Sequence, residues 1–235
     1  MKKKNIYYIL IVFFVFILIY SIFSLYASYL ESESIKKESN IGVVSIEEDN
    51  NLYKKEISSL QTKYNNKDII GIIEIPGTSI KHAFVRGGNN TYYLDHNLYK
   101  TKSKAGSIFM DYRNDFDDRQ VNIYGHNSRT YDVPFKDLNN YLDKDYIPSR
   151  DLIYITNEDE VIKYKIQFVN VISSDEHINI SFKDSVSFDK HINILREGSL
   201  YDKGNSISFD DDILILQTCY LDSYGSYILI VSTKL

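Results

Sequence analysis

From Ile6 to Ala27 almost every position is apolar or aromatic, and no charged residue occurs between Asn5 and Leu30. At 1.5 Å per residue, a helix of that length spans a ~30 Å hydrocarbon core. Lys2, Lys3 and Lys4 precede the run, and Glu31 and Glu33 follow it. That asymmetry predicts a cytoplasmic N-terminus with the bulk of the chain outside. Tyr7, Tyr8, Tyr26 and Tyr29 stand near the two ends, where interfacial aromatics belong. The run is longer than a signal-peptide core and no small-x-small cleavage site follows it, so an uncleaved anchor is expected rather than a leader.

Beyond the anchor the pattern changes twice. Residues 31–50 are polar and mixed in charge and read as a juxtamembrane linker. In 51–66, Leu52, Ile57, Leu60 and Tyr64 recur at loosely helical spacing, which predicts a short amphipathic helix. From Asp68 onward short apolar stretches alternate with turn signals. Strands are expected at 68–75, closed by Pro76-Gly77, then at 80–85, 107–110, 121–124, 152–156, 161–173, 213–218 and 227–231. Helical patches are expected at 134–142 and 185–195. Many short strands with few helices predict a mostly antiparallel barrel or sandwich. The chain therefore divides into a basic start and anchor (1–30), a linker (31–50) and one extracellular domain (51–235).

Charge and composition narrow the function. The formal net charge of -5 argues against a nucleic-acid partner. The hydrophobic fraction of 43% suits a globular domain plus one membrane segment. Tryptophan is absent while tyrosine occurs 21 times, and the surplus of Asn, Lys and Ile matches AT-rich codons rather than any chemistry.

The candidate chemistry lies in Asp212-Ile213-Leu214-Ile215-Leu216-Gln217-Thr218-Cys219. Four consecutive apolar residues predict a buried strand, and it ends at the only cysteine of the chain. A lone cysteine is either a buried small hydrophobe or a reactive thiol, and a strand end before the polar loop Asp222-Ser223-Tyr224-Gly225-Ser226 favours the thiol. A nucleophilic cysteine needs a partner base or cation. Of five histidines, His126 ends the strand Val121-Asn122-Ile123-Tyr124 through a Gly-His-Asn turn. His82 and His96 stand in polar surroundings and are expected at the surface, His177 in a charged loop and His191 on the helical patch. No two histidines lie three to five apart and the cysteine has no partner at ligand spacing, so no metal or other cofactor is expected.

Tyr124-Gly125-His126-Asn127 followed by Leu216-Gln217-Thr218-Cys219 resembles a sortase, the class B enzymes of Gram-positive bacteria fitting best. Asn90-Thr91-Tyr92-Tyr93-Leu94-Asp95 resembles that family's Asn-x-Tyr-Tyr-Leu segment, and 106–114 its Gly-x-x-Phe-x-Asp-x-Arg-Asn segment. The anchor and the helix after it also match the class B layout. The resemblance covers about 51–235. It implies an eight-stranded β-barrel with a helix, here 185–195, between the sixth and seventh strands. It implies a transpeptidase in which Cys219 attacks the carbonyl of a threonine in a sorting signal and His126 protonates the leaving amine. The partners would be surface proteins bearing Asn-Pro-x-Thr-like or Ser-Pro-x-Thr-like signals, and an amine of the cell-wall precursor or of another protein. Asn90 and Leu94 match family positions that line the substrate groove, and Gln217 and Thr218, which flank the cysteine, would line it too.

One departure stands out. The family carries an arginine on the strand after the cysteine, where it stabilises the oxyanion, but no lysine or arginine occurs between Cys219 and Thr233. The ungapped position is Tyr227, beside Ser226, and these are the candidate donors in its place. Arg129 and Arg113 are the nearest alternative cations in sequence; a solvated and a structural role are expected for them. Two functions follow: an active transpeptidase, or a sortase-fold module that binds sorting signals without turnover. A plain cysteine hydrolase is a third, since water also resolves a thioacyl enzyme.

Overall fold

The computed structural model describes residues 3–39, 50–129, 132–176 and 178–235. Helix α1 (Lys3–Ser39) contains the apolar run: Leu10–Leu30, 21 residues of mean hydropathy 2.6, is long and apolar enough to cross a membrane, and its side chains are exposed. The helix does not stop at the expected linker boundary but continues to Ser39. Nothing in 31–39 breaks it, because Glu, Lys and Ser are all tolerated in a helix and no Pro or Gly intervenes.

Helix α2 (Asn50–Tyr64) is the expected amphipathic helix with one member of its stripe exchanged. Tyr53, Ile57, Leu60 and Tyr64 are buried, whereas Leu52 is exposed. The stripe packs on Ile69, Ile72, Ala83 and Val85 of the first two strands.

The strands are β1 (Ile69–Glu74), β2 (Lys81–Val85), β3 (Phe109–Met110), β4 (Gln120–Tyr124), β5 (Leu152–Thr156), β6 (Val161–Ser173), β7 (Tyr201–Asp202), β8 (Ile213–Cys219) and β9 (Ser226–Lys234). Eight of them close a barrel in the order β5-β1-β2-β3-β4-β8-β9-β6, with β6 returning to β5. The two-residue β7 pairs outside the ring with Phe168 and Val169 of β6. Most pairings are antiparallel, but β2–β3 and β4–β8 are parallel. Helix α3 (Ser185–Arg196) lies between β6 and β7, starting at a capping box on Asp184 and Ser187.

The continuous apolar run of β8 now has a cause. Leu214 and Leu216 face the barrel interior with Val121, Ile123, Ile228 and Ile230. Ile213 and Ile215 face outward, where Phe188, Ile192 and Leu195 of α3 cover them together with Leu229 and Val231. A strand covered on both faces needs no polar alternation.

One expectation is met in a tighter form and another changes. The helical patch at 134–142 is a 3₁₀ helix, Lys136–Leu142. Phe135, Leu138 and Tyr141 are fully buried in the barrel core, and their spacing of three matches three residues per turn. His82 is not a surface residue: it is 6% exposed, on β2 opposite Ile73. Burial lowers its pKa to about 4, against the weaker pull of Asp132 and Asp137, so the ring is neutral at physiological pH. His191 is buried on the inner face of α3. His96 is half-buried, stacked on Tyr92 at 4.0 Å, with Nδ1 at 2.7 Å from Asp95 Oδ1. The loop assigned to His177 has its histidine outside the described residues.

Candidate active site

The site forms where two parallel neighbours end together. In β4–β8, Tyr124 lies opposite Gln217, and the chain beyond β4 is laced to β8. Gly125 N–H donates to Gln217 O at 3.2 Å, and Thr218 Oγ1 donates to Gly125 O at 2.8 Å. Asn127 Nδ2 donates to the Cys219 carbonyl at 2.8 Å. The Asn127 amide is itself locked by Asn139, the two side chains exchanging hydrogen bonds of 2.8 Å. Each strand end is thus held to the other on both sides of His126.

Strand alternation puts Cys219 on the same face as Ile213 and Ile215, outside the barrel. It is exposed where the cover of α3 ends. Across the antiparallel β8–β9 pair its partner is Tyr227. Directly opposed residues share a face, so the tyrosine side chain rises beside the thiol. Cys219, Tyr227 and His126 line one cleft of about 340 Å³, together with Asn90, Leu94, Gln217 and Thr218. Phe109 and Tyr124 form its aromatic wall, with ring centroids 5.3 Å apart.

Ser226 is not brought there. Its Oγ donates to Ser223 Oγ at 3.2 Å and its carbonyl accepts from Tyr220 N–H, so it shapes the turn. Neither arginine replaces the absent one. Arg113 forks onto Asp111, with Nε to Oδ1 at 2.9 Å and Nη2 to Oδ2 at 2.8 Å. Arg129 donates to Leu221 O at 2.8 Å and pairs with Asp222, joining the loop after His126 to the loop after Cys219. No lysine or arginine lines the cleft among the described residues.

His126 is placed by a backbone carbonyl. Its Nε2 lies 2.6 Å from Leu94 O. A carbonyl only accepts, so Nε2 carries the hydrogen in that bond and Nδ1 is the accepting nitrogen of the neutral ring. Two glycines make room. A Cβ at Gly125 would stand 2.6 Å from the Phe135 ring, and one at Gly106 would stand 2.9 Å from His126 Cδ2.

Although the residue is exposed, the protein packed around one side of it partly desolvates the Cys219 thiol and pushes it above its ordinary value, and no cation opposes it. The thiolate is therefore the minor form near neutrality, and its share grows as pH rises. Alkylation of Cys219 by iodoacetamide is expected to accelerate steadily from about pH 7 to pH 10. A plateau reached below about pH 8 would show a thiolate already held by a cation.

Sequence reasoning missed Asn127 and Asn139. Asn127 was visible only as a motif letter, and its partner lies in the 3₁₀ helix, with no sequence signal linking the two.

The Sortase domain model matches residues 73–235. With the closed barrel and the cysteine and histidine at neighbouring strand ends, the chain belongs to the sortase family. Its relatives place it with class B. Listeria monocytogenes sortase B is 32% identical over 159 residues, which cover 66% of this chain and 63% of that protein. The match thus spans less than two thirds of the relative's length. A mutant form of Clostridium perfringens sortase B superimposes with a TM-score of 0.78 at 25% identity, covering 87% of this chain and 98% of that one. Bacillus anthracis sortase B in complex with AAEK1 gives 0.76 at 25%, covering 89% and 99%.

Proposed function

We propose that this chain is a membrane-anchored cysteine transpeptidase. The Cys219 thiolate attacks the carbonyl carbon of a threonine in a sorting signal. His126 Nδ1 takes up the thiol proton as the thiolate forms and delivers it to the leaving amine as the peptide C–N bond breaks, and a thioester to Cys219 remains. An amine of the cell-wall precursor, or of another protein, then attacks the thioester and restores the thiol. α1 crosses the membrane with its basic N-terminus inside, so the barrel works on the outer surface. The observation that carries this reading is the shared cleft: the single cysteine, exposed, and His126 line it together.

Oxyanion stabilisation falls to Tyr227, which lies opposite Cys219 across β8–β9 and brings a hydroxyl donor to the lining of the cleft. One donor without charge replaces a bidentate cation, so the barrier is lowered less than in arginine-bearing relatives. Removing one oxyanion donor costs about 10²–10³ in rate in acyl-transfer enzymes. Tyr227→Phe is expected to slow acylation by at least about tenfold with peptide affinity retained. Equal acylation rates in the two proteins would exclude the hydroxyl.

The deciding experiment incubates the full chain in detergent micelles with sorting-signal peptides, with and without a small amine, and follows intact mass. A Cys219 adduct released by the amine as a new amide is expected. Release to the free acid alone would make it a hydrolase. Peptide binding with no adduct would make it a binding module.

A further inference from the structure

Asp111 lies just past β3, does not line the cleft, and gathers two residues that do. Its side chain is fully buried and accepts five hydrogen bonds. Three come from Arg113, through backbone N–H, Nε and Nη2. Asn90 Nδ2 donates to Oδ2 at 2.8 Å, and Tyr124 OH donates to the same oxygen at 3.0 Å. Asn90 is engaged at its other end as well, its Oδ1 accepting from Tyr112 N–H at 2.9 Å.

The carboxylate is an acceptor and nothing else while it is ionised. It therefore admits only one orientation of the Asn90 amide, nitrogen toward Asp111 and oxygen toward Tyr112. What Asn90 has left for a ligand is one N–H and one oxygen lone pair, each in a fixed place. The same acceptor consumes the Tyr124 hydroxyl hydrogen, so that ring presents an apolar face beside Phe109. Burial would raise the Asp111 pKa, but the Arg113 fork and the Asn90 and Tyr124 donors hold it down at about 2.

We propose that Asp111 is a positioning residue for peptide recognition, fixing the direction of the Asn90 amide and so the hydrogen-bond polarity of the cleft wall. The proposal rests on the cleft being the sorting-signal site, but not on any chemistry at Cys219. In Asp111→Asn the new side chain both donates and accepts. With its oxygen kept by Arg113 N–H and Nε, the new amide turns its Nδ2 toward Asn90 Nδ2, so Asn90 loses its partner at position 111 in the present orientation and its Tyr112 N–H partner if it flips, and the direction of the cleft wall is no longer fixed.

The test uses the full chain in detergent micelles on a Cys219→Ala background, which separates binding from turnover. The probes are fluorescent heptapeptides containing Asn-Pro-Ala-Thr or Ser-Pro-Ala-Thr, read by polarisation. Asp111→Asn is expected to weaken the better-bound peptide at least about tenfold, with near-ultraviolet circular dichroism of the tyrosines retained. A second variant guards against a folding defect. Arg113→Gln keeps the carboxylate but removes the fork that holds it ionised. Its binding should match the parent near pH 7 and fall further than the parent's on acidification as Asp111 protonates, any change from His126 in the cleft being common to both proteins. A loss under about threefold in Asp111→Asn, or an Arg113→Gln profile that falls no further than the parent's, overturns the proposal. Failure of the parent to bind either peptide overturns the reading of the cleft itself and the role of Asp111 with it. Binding without any adduct in the Cys219-containing chain defeats only the transpeptidase.

Discussion

Cys219→Ala is expected to abolish covalent adduct formation completely, with peptide binding unchanged. No other residue can substitute, because the chain has one cysteine. An adduct persisting in this variant would place the nucleophile elsewhere. His126→Ala should give a different defect. General acid–base catalysis by one side chain contributes about 10²–10⁴ in rate. His126 is held by Leu94 O rather than by the thiol, and burial alone accounts for the raised thiol pKa. Alkaline alkylation of Cys219 should therefore survive in His126→Ala while turnover falls by at least about 10². A parallel fall of both would mean that the histidine sustains the thiolate.

Gly106→Ala is expected to damage the site as severely without touching a reacting group. Gly106 has φ +57°, a left-handed backbone that side chains resist. A methyl there would also lie 2.6 Å from Tyr93 O, 2.7 Å from Leu94 O and 2.9 Å from His126 Cδ2. Two of the three obstacles are backbone, so relief requires moving the segment whose Leu94 carbonyl orients His126. A misplacement of ~1 Å at a catalytic group can cost about 10² in rate. Acylation is expected to fall by about that factor, and the melting temperature to drop with it. Near-normal acylation in Gly106→Ala would show that the Leu94 carbonyl does not position the imidazole.

Much of this architecture was legible in the chain. The apolar run of α1 and the hydrophobic strands announced themselves because burial demands continuous or alternating apolar residues. Cys219 and His126 were marked by strand-end context and by motif. What periodicity could not reveal was pairing. β4 and β8 being parallel neighbours is a fact of topology, and so is the seat of Tyr227 opposite the thiol. The patch at 134–142 was legible as helical but not as 3₁₀, the form that the three-residue spacing of Phe135, Leu138 and Tyr141 fits. His82 looked solvent-facing from its polar sequence neighbours, Lys81 among them, yet strand alternation and the 105–108 segment packed nearby bury it. Asn90 matched a ligand-binding motif, but only the structure discloses that both ends of its amide are already engaged.

The parallel β4–β8 seam has a consequence for when the site is assembled. Thr218 and Gly125, bonded across it, stand 93 positions apart in the chain. Closing so long a loop is slow and is repaid only when the contacts on its far side form. A chain that lengthens from its N-terminus offers β1 to β6 first, with β8 and β9 the last strands to appear. Until they insert, His126 has no nucleophile beside it and the barrel keeps an open edge along β4. Catalytic competence would then switch on as a single late event, and a chaperone or stalled intermediate acting before it would meet an unpaired strand rather than a reactive thiol.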